Sequence, residues 1–459
     1  MRTITFKGLF LTAVFMLLGC LAIQAADGGL ITKQITIKLD EAGTLSSKIG
    51  YNKKIQITNL KIVGEINGSD LDFVREMAGV NFYGGPVEGN LSVLDLSEAK
   101  IIKGGSFYYS PSGSYDKYYT TDDAIGSYTF YECRNLKSLK LPSGVTEIGS
   151  SAFEDCRDLT SLTIPSGVTE IGSSAFKGCT DLTSLSLPSG ITEIGSSAFK
   201  GCTGLTRLSL PSGVNEIGSS AFEDCSGLTS LSLPSGITKI GSLTFYGCTG
   251  LTSLSLPSGV TEIGSSAFSG CTGLTSLSLP SSITEIDSYA FKGCTGLKDV
   301  SFYINCDFDT YLTKGHPYIG VGCGIKYYLN DKEITSIVVP SSVTTLGKYA
   351  FQKCSNLQSV YVSWPTPISA YKTFSETNLG KCTLYVPQGT EQDYWLANVW
   401  GDFGNIVEYD PTGIDKVTTS TDAKELSRYS VNGQRLSAPA KGLNIVKYSD
   451  GSVKKIAVQ

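Results

Sequence analysis

The side chains that could do chemistry are thirteen cysteines, one histidine and a modest set of acids. His316 is the one histidine, so any Ser-His-Asp or Cys-His site would have to use it, and a two-histidine metal site is excluded. It precedes Pro317 and is predicted to be a loop residue. Catalysis by paired carboxylates stays open, and Asp307 and Asp309, which stand among tyrosines, are the one crowding of that kind.

Eight cysteines follow one another at intervals of 23 residues: Cys133, Cys156, Cys179, Cys202, Cys225, Cys248, Cys271 and Cys294. Metal sites use close pairs such as C-x-x-C, and equivalent side chains that point the same way fit a disulfide poorly. These thiols are therefore predicted to be small apolar core residues. Cys306 and Cys323 lie outside the series, and a disulfide between them is left open.

The 23-residue spacing marks an internal repeat, and the unit that begins at Cys248 reads CTGLTSLSLPSGVTEIGSSAFSG. Leu254 and Leu256 alternate with serines, which predicts a short strand with one apolar face. Pro257 ends that strand, and the Val, Ile and Phe268 that follow point back toward the core. Self-similarity at this period with an L-x-x-L-x-L pattern predicts a leucine-rich-repeat solenoid.

One coil cannot fold alone. Its apolar side chains offer about 12 kcal/mol if fully buried, whereas ordering 23 residues costs on the order of 35 kcal/mol. Coils must therefore stack. The predicted fold is a right-handed, strand-rich solenoid over 125–411, preceded by an α+β or β cap at 26–124 and followed by a linker and a small β tail at 412–459.

The rhythm breaks after Leu297 and resumes at Ile337, so residues 298–335 are predicted to be an insertion. Tyr327 to Thr335 is predicted to be a hairpin that turns at Asn330-Asp331.

Two rows of equivalent residues follow from the stacking. One consists of Glu147, Glu170, Glu193, Glu216, Lys239, Glu262 and Glu285. It is either an acidic strip that binds cations or a partner, or a row of solvated charges screened by salt. The other covers the outer face of the strands with serine and threonine, and Arg207 is its one charge. This second row lacks the large anchors typical of binding hot spots.

Aromatic residues concentrate at 107–119 and in the insertion, where irregular loops favour contact with a partner. The predicted ligand-contacting residues are Tyr311, Tyr318, Tyr327, Tyr328, Tyr108, Tyr109 and Arg207. The alternative is that these tyrosines seal the ends of the solenoid. Catalytic, cofactor-binding and metal-binding residues are not expected.

The amino terminus predicts export. Arg2 and Lys7 precede the apolar run Leu9–Leu18, which is too short to span a bilayer, and small residues follow. Cleavage is expected after Ala25 or Ala26, so residues 1–25 are predicted to be a signal peptide. The alternative is a lipobox-like site that leaves Cys20 lipidated. A net charge of −5, from 37 basic and 42 acidic residues, argues against a nucleic-acid binder.

From about 125 to 409 the sequence resembles the BspA-like bacterial leucine-rich-repeat family, through L-x-x-L-x-L-P, a spaced Val/Ile pair and A-F-x-x-C in each unit. Residues 57–64, 77–79 and 91–97 are similar to the amino-terminal portion of Bacteroides-type members, and the tail resembles Bacteroidetes sorting tails. The resemblance implies a secreted or surface-exposed binding protein without a cofactor, in which adhesion to host proteins or glycans is expected. The rival hypothesis is a secreted enzyme or an accessory glycan-binding protein that uses carboxylates and aromatics of the insertion or caps.

Overall fold

The computed structural model describes residues 29–304 and 306–410, together with tail residues 425–430, 435–436, 438, 442–448 and 453–458. The predicted signal peptide, Cys20 and most of the linker after residue 410 lie outside the described residues. The chain forms two compact units. The first runs to Leu254 and includes Gly264–Leu274 and Ser288–Thr295, and the second contains Ser255–Ile263, Thr275–Asp287 and the chain from Gly296 onward.

The first unit opens with an α+β region. Strands Ile35–Lys38, Asn59–Ile66 and Val93–Ile101 pair in parallel, and the last of them pairs with Ser138–Lys140. The parallel sheet therefore begins upstream of residue 125, inside the predicted cap. The helices of this region are Leu45–Ile49, Tyr51–Lys54 and Gly68–Met77.

The helix Gly68–Met77 begins with a capping box. The side chain of Asn67 accepts a hydrogen bond from the Ser69 amide at 3.0 Å, and the Asp70 carboxylate accepts one from the Asn67 amide at 3.0 Å. These bonds satisfy amides that have no partner within the helix, and they fix its first turn. An antiparallel hairpin, Gly104–Tyr109 with Tyr118–Thr120, follows the third strand of the region.

Each coil of the repeat contributes two strands, of which the sequence pattern predicts the first. We call the first set the leucine strands: Ser138–Lys140, Ser161–Thr163, Ser184–Ser186, Arg207–Ser209, Ser230–Ser232, Ser253–Ser255 and Ser276–Pro280. The second set is the glutamate strands: Ala124–Ile125, Glu147–Ile148, Glu170–Ile171, Glu193–Ile194, Glu216–Ile217, Lys239–Ile240, Glu262–Ile263 and Glu285–Ile286. The central leucine of each leucine strand is buried between two outward residues.

A ladder of phenylalanines fills the first unit. The rings of Phe130, Phe153, Phe176, Phe199, Phe222, Phe245, Phe268 and Phe291 stack on their neighbours at centroid distances of 5.1–5.6 Å and interplanar angles of 3–10°. The offset arrangement suits the quadrupoles of the rings. It confirms that this residue closes each coil over the core.

The repeat cysteines are core residues, as predicted, and they also act as hydrogen-bond donors. The thiol of Cys225 donates to the carbonyl oxygen of Phe199, in the preceding coil, at 3.1 Å, and equivalent bonds recur along the series at 3.0–3.1 Å. Burial raises the pKa of the Cys202 thiol to about 12. Thiols buried in this way, such as Cys202, are therefore protonated at neutral pH and unreactive. Cys294, at the end of the series, is partly exposed, and a hydrogen bond with Cys271 lowers its pKa.

The predicted insertion is more regular than expected. Strands Asp299–Ile304 and Gly324–Leu329 pair in parallel over their full length, so this segment of the second unit continues the coiled pattern. The helix Phe308–Lys314 connects them. Lys332–Glu333 then pairs antiparallel with Gly324–Leu329. Asn330 and Asp331 have positive φ angles of 50° and 60°, which confirms the predicted turn.

The second unit continues with a four-stranded parallel sheet of Ser336–Val339, Ser359–Val362, Thr383–Pro387 and Asn405–Tyr409. Its further helices are Leu379–Lys381 and Trp400–Asp402, both 3₁₀, and the α-helix Glu391–Leu396.

The predicted tail strands form an antiparallel sheet of Glu425–Ser430, Arg435–Leu436, Gly442–Tyr448 and Val453–Val458.

Candidate binding surface

The outer face of the leucine strands is flat and carries small polar side chains. In the first unit Ser161, Ser184, Arg207, Ser230 and Ser253 lie side by side in register, and all are exposed. Arg207, a predicted contact residue, is therefore accessible but stands alone among serines. This face offers hydroxyl groups and little area that a partner could bury.

The glutamate row is exposed as well. Glu170, Glu193 and Glu216 are adjacent on parallel glutamate strands. Among the described residues, no group of three His, Cys, Asp or Glu side chains is placed to hold a metal ion. Glu170, Glu193 and Glu216 therefore present like charges to solvent, and Lys239 interrupts the row further along.

Four of the predicted contact residues are buried. Tyr108, Tyr109, Tyr311 and Tyr327 lie in the interior. The hydroxyl of Tyr108 donates to the Ser127 carbonyl at 2.8 Å, and those of Tyr311 and Tyr327 donate to the carbonyls of Ala350 and Gln352. These rings pack and seal the coils, so contact with a partner falls to their exposed neighbours.

A buried arginine that the sequence analysis did not identify holds the hairpin 104–120. The guanidinium of Arg75 donates to the carbonyl oxygens of Tyr128 and Thr129 at 2.9 and 3.1 Å. It also lies 5.1 Å from the centroid of the Tyr109 ring. Tyr115 remains fully exposed beyond these contacts, between the two strands of the hairpin.

His316 is a buried structural residue in a loop. Its Nδ1 lies 2.7 Å from the Pro317 carbonyl oxygen, which can only accept, and its Nε2 lies 3.0 Å from the Tyr327 hydroxyl. The imidazole stacks on Phe302 at 4.5 Å. Burial lowers the pKa of His316 to about 4, so the ring is neutral at physiological pH.

The acids and cysteines of the insertion have structural settings. The carboxylate of Asp307 accepts from the Thr310 amide at 3.0 Å and so caps the helix Phe308–Lys314, while Asp309 accepts from the Ser342 hydroxyl at 3.3 Å. Neither contact resembles a pair of carboxylates that face each other across a cleft. Cys306 is exposed and Cys323 partly so, and the described structure contains no disulfide between them.

Several exposed or partly exposed tyrosines of the second unit form a mixed cluster with lysines. We call it the tyrosine–lysine cluster, and it consists of Tyr318, Lys348, Tyr349, Tyr371 and Lys372. The side chains of Tyr318 and Tyr371 are 45% and 57% exposed. Tyr318 meets Tyr349 edge to face at 5.4 Å. The other predicted contact residue of the insertion, Tyr328, lies outside the cluster, partly exposed and stacked on Tyr303 at 5.0 Å.

The repeat places lysine and tyrosine alternately within the cluster. Lys348 and Tyr371 are 23 residues apart, as are Tyr349 and Lys372, so each lysine faces a tyrosine of the next coil. The Lys348 ammonium lies 5.8 Å from the Tyr371 centroid, and the Lys372 ammonium lies 5.9 Å from Tyr349 and 5.3 Å from Tyr371. These are cation–π distances.

The cluster occupies a backbone position that large residues disfavour. Tyr349 and Lys372 have φ angles of 62° and 60°, at the point of the coil where Ser174, Ser197 and Ser220 have 56–58° and where Tyr128, Leu243 and Tyr289 have 59–63°. The left-handed conformation costs a non-glycine residue roughly 1–2 kcal/mol. The coil imposes the conformation, and in the second unit it is borne by a tyrosine and a lysine at the surface.

A polar groove adjoins the cluster. It has a volume of about 500 Å³, and its lining includes Tyr371, Lys372, Asn378, Asn398 and Asp402. Amide and carboxylate groups therefore stand beside an exposed aromatic ring and an ammonium. A pocket of this composition suits a polar ligand with hydroxyl groups.

Comparison with known families identifies the fold. A family model described as the BspA type leucine rich repeat region matches residues 100–229, 215–311 and 324–392, more than half of the chain. The chain belongs to this family. The BspA-type match confirms the leucine-rich-repeat solenoid and makes the chain a repeat-based binding scaffold. The right-handed sense of the coil stays a prediction.

Solved structures of other repeat proteins are similar. A leucine-rich repeat protein of T. pallidum is 34% identical over 38% of this chain and 84% of its own, with a TM-score of 0.36. One from Bacteroides ovatus is 22% identical over 84% and 97%, with a TM-score of 0.41. A leucine rich cell surface protein of Faecalibacterium prausnitzii is 21% identical over 76% and 91%, with a TM-score of 0.31. A comparison with curated proteins finds no match.

Helices in the described part of the chain are too short or too polar to cross a membrane.

Proposed function

We propose that this BspA-type protein is an exported, non-enzymatic binding or adhesion protein that contacts host proteins or glycans. The observation that carries the proposal is the tyrosine–lysine cluster of the second unit, where exposed aromatic rings and ammonium groups meet on a repeat scaffold. Tyrosine is one of the residues enriched in binding hot spots, and the lysines add positive charge beside it. Tyr328 of the second unit is a further partly exposed ring, and the first unit has its own exposed ring in Tyr115.

The outer face of the leucine strands, here called the serine face, offers a partner less contact area than the cluster does, which favours binding at the cluster. A tyrosine presents a large, rigid surface at low entropic cost, whereas a serine offers little area to bury. The first unit therefore serves mainly as a scaffold, and Arg207 contributes at most one charged contact.

Export is part of the proposal and rests on the sequence. The predicted signal peptide at 1–25, or lipidation at Cys20, would place the protein outside the cytoplasm, on the outer face of a Gram-negative envelope. The β tail after residue 412, which resembles Bacteroidetes sorting tails, would direct it to the cell surface. The cap at 26–124 and the solenoid at 125–411 would then be presented to host ligands.

An accessory glycan-binding role is the second candidate, and the polar groove beside Tyr371 favours it. The corresponding enzyme hypothesis has less support, because Asp307 and Asp309 are occupied with structural hydrogen bonds and His316 is buried.

Capture experiments test the proposal. Purified protein is immobilised and exposed to host matrix proteins and to a glycan array, and intact cells are treated with protease to show whether the protein is accessible at the surface. We expect saturable capture of a host protein or glycan and loss of the protein from protease-treated cells. Retention of the protein inside the cell, or the absence of any saturable ligand, would refute the proposal.

A further inference from the structure

The tyrosine–lysine cluster has the chemistry to select one class of ligand. We propose that it binds an acidic polysaccharide that carries a carboxylate or sulfate on closely spaced sugars. This inference rests on the proposed binding function and specifies its ligand.

The charge argument begins with the lysines of other coils. Lys177 pairs with Glu154 at 2.8 Å, Lys200 pairs with Glu223 at 2.8 Å, and Lys353, beside the cluster, pairs with Glu376 at 3.2 Å. In the described chain, Lys348 and Lys372 form no such ion pair, and their ammonium groups lie over tyrosine rings instead. The protein carries a net charge of −5, yet among the described residues these two ammonium groups lack a carboxylate within ion-pair distance. The nearby carboxylates of Glu376 and Asp402 line the groove, and Glu376 pairs with Lys353 and accepts from the Tyr318 hydroxyl at 3.0 Å.

The rings favour a sugar over an acidic peptide. Tyr371 is more than half exposed, and a flat aromatic ring offers an apolar platform for the C–H face of a sugar. The groove beside it supplies the amides of Asn378 and Asn398, which can donate to and accept from hydroxyl groups at the same time. Hydrogen bonds to Tyr371 and Tyr349 raise the pKa of Lys372, which keeps the ammonium charged.

The spacing favours a polymer with repeated acidic groups. Both ammonium groups lie within 6 Å of the Tyr371 ring centroid, at 5.8 and 5.3 Å. Acidic groups on neighbouring sugars of one chain can therefore pair with both, whereas a single terminal acid would engage one. Charge-assisted hydrogen bonds to carboxylate or sulfate are about twice as strong as neutral ones.

Titration of the full protein tests the inference. The probes are heparin and chondroitin sulfate oligosaccharides, a desulfated heparin, sialyllactose with its single terminal carboxylate, and poly-glutamate. The test variant is Lys348→Gln/Lys372→Gln. The matched control is Lys292→Gln/Lys298→Gln, which makes the same change in net charge at other exposed lysines, one of them over the ring of Tyr289 at 5.0 Å.

We expect the sulfated oligosaccharides to bind, and we expect this binding to weaken as the salt concentration is raised, because salt screens exposed charges. The test variant should bind them about tenfold more weakly, while the control variant binds as the parent does. Equal loss in both variants, no binding of any acidic oligosaccharide, or tighter binding of sialyllactose or poly-glutamate would overturn the inference. If one of these outcomes is found but the protein still captures a host protein or a neutral glycan, only the acidic-polysaccharide inference fails and the proposed binding function stands.

Discussion

The phenylalanine ladder allows a quantitative prediction about the repeat core. Phe222 is fully buried and stacks on two rings, Phe199 at 5.5 Å and Phe245 at 5.6 Å. Phe291, also buried, has one stacked partner in the described chain, Phe268 at 5.5 Å. Phe→Leu at each position keeps an apolar side chain but removes the aromatic contacts.

The expected losses in the free energy of unfolding follow from the number of stacked ring pairs that each substitution removes. An aromatic pair is worth about 0.5–1.5 kcal/mol beyond the burial of its area. Phe222→Leu should therefore lower the free energy of unfolding by about 1–3 kcal/mol, and Phe291→Leu by about half as much. Phe222→Ala adds the loss of volume and should cost about 3–5 kcal/mol.

Urea denaturation followed by far-ultraviolet circular dichroism is the appropriate assay. Tryptophan fluorescence would report mainly on the second unit, which contains Trp364, Trp395 and Trp400. A cost of Phe222→Leu equal to or smaller than that of Phe291→Leu would show that the stacked rings contribute no more than ordinary apolar burial.

Two other predictions concern the buried polar groups. Cys225→Ser should lower the free energy of unfolding by about 1–3 kcal/mol, because it buries a hydroxyl at longer distance from its acceptor. The repeat thiols should resist thiol reagents in the native state, while the exposed Cys306 reacts. Rapid labelling of most of the series would contradict this second prediction. Since the pKa of His316 is about 4 in the folded protein and 6.5 in an unfolded chain, its contribution to stability is complete above pH 6.5 and is lost as pH falls toward 4. The loss amounts to about 3 kcal/mol. In His316→Gln the free energy of unfolding should vary less over that pH range. An unchanged pH dependence would contradict the structural role of His316. A hydrolytic activity of the parent protein that disappears in His316→Ala would also contradict it.

The repeat was predictable because its physical signals are local. The spacing of the cysteines, the alternation of leucine and serine and the closing phenylalanine each determine which side chain points inward. The turn at Asn330-Asp331 was predictable for the same reason, since both residue types tolerate positive φ.

The contact residues were harder to predict, because composition does not tell which ring faces inward. In the strand Gly324–Leu329, Ile325, Tyr327 and Leu329 point inward and Tyr328 outward. The period of two could have separated Tyr327 from Tyr328. Tyr109 packs against Arg75 and the Tyr108 hydroxyl donates to the Ser127 carbonyl, and both partners are distant in sequence.

Tyr318 of the tyrosine–lysine cluster was predicted from the insertion, but the other members were missed because they belong to regular coils. Tyr349 and Lys372 stand where several coils have serine, but Leu243 and Tyr289 stand there as well, so a large side chain at this position did not mark them.

The central claim is that partners bind at the tyrosine–lysine cluster and not on the serine face. The measurement is the Kd of one captured ligand for two variants of the full protein. One deletes residues 180–225 in phase, removing two coils and Arg207 without changing the register of the stack. The other is Tyr318→Ser/Tyr371→Ser. We expect the deletion to bind as the parent does and the tyrosine variant to bind at least tenfold more weakly. Loss of binding in a folded deletion, with normal binding by the tyrosine variant, would place the ligand on the serine face and contradict the claim.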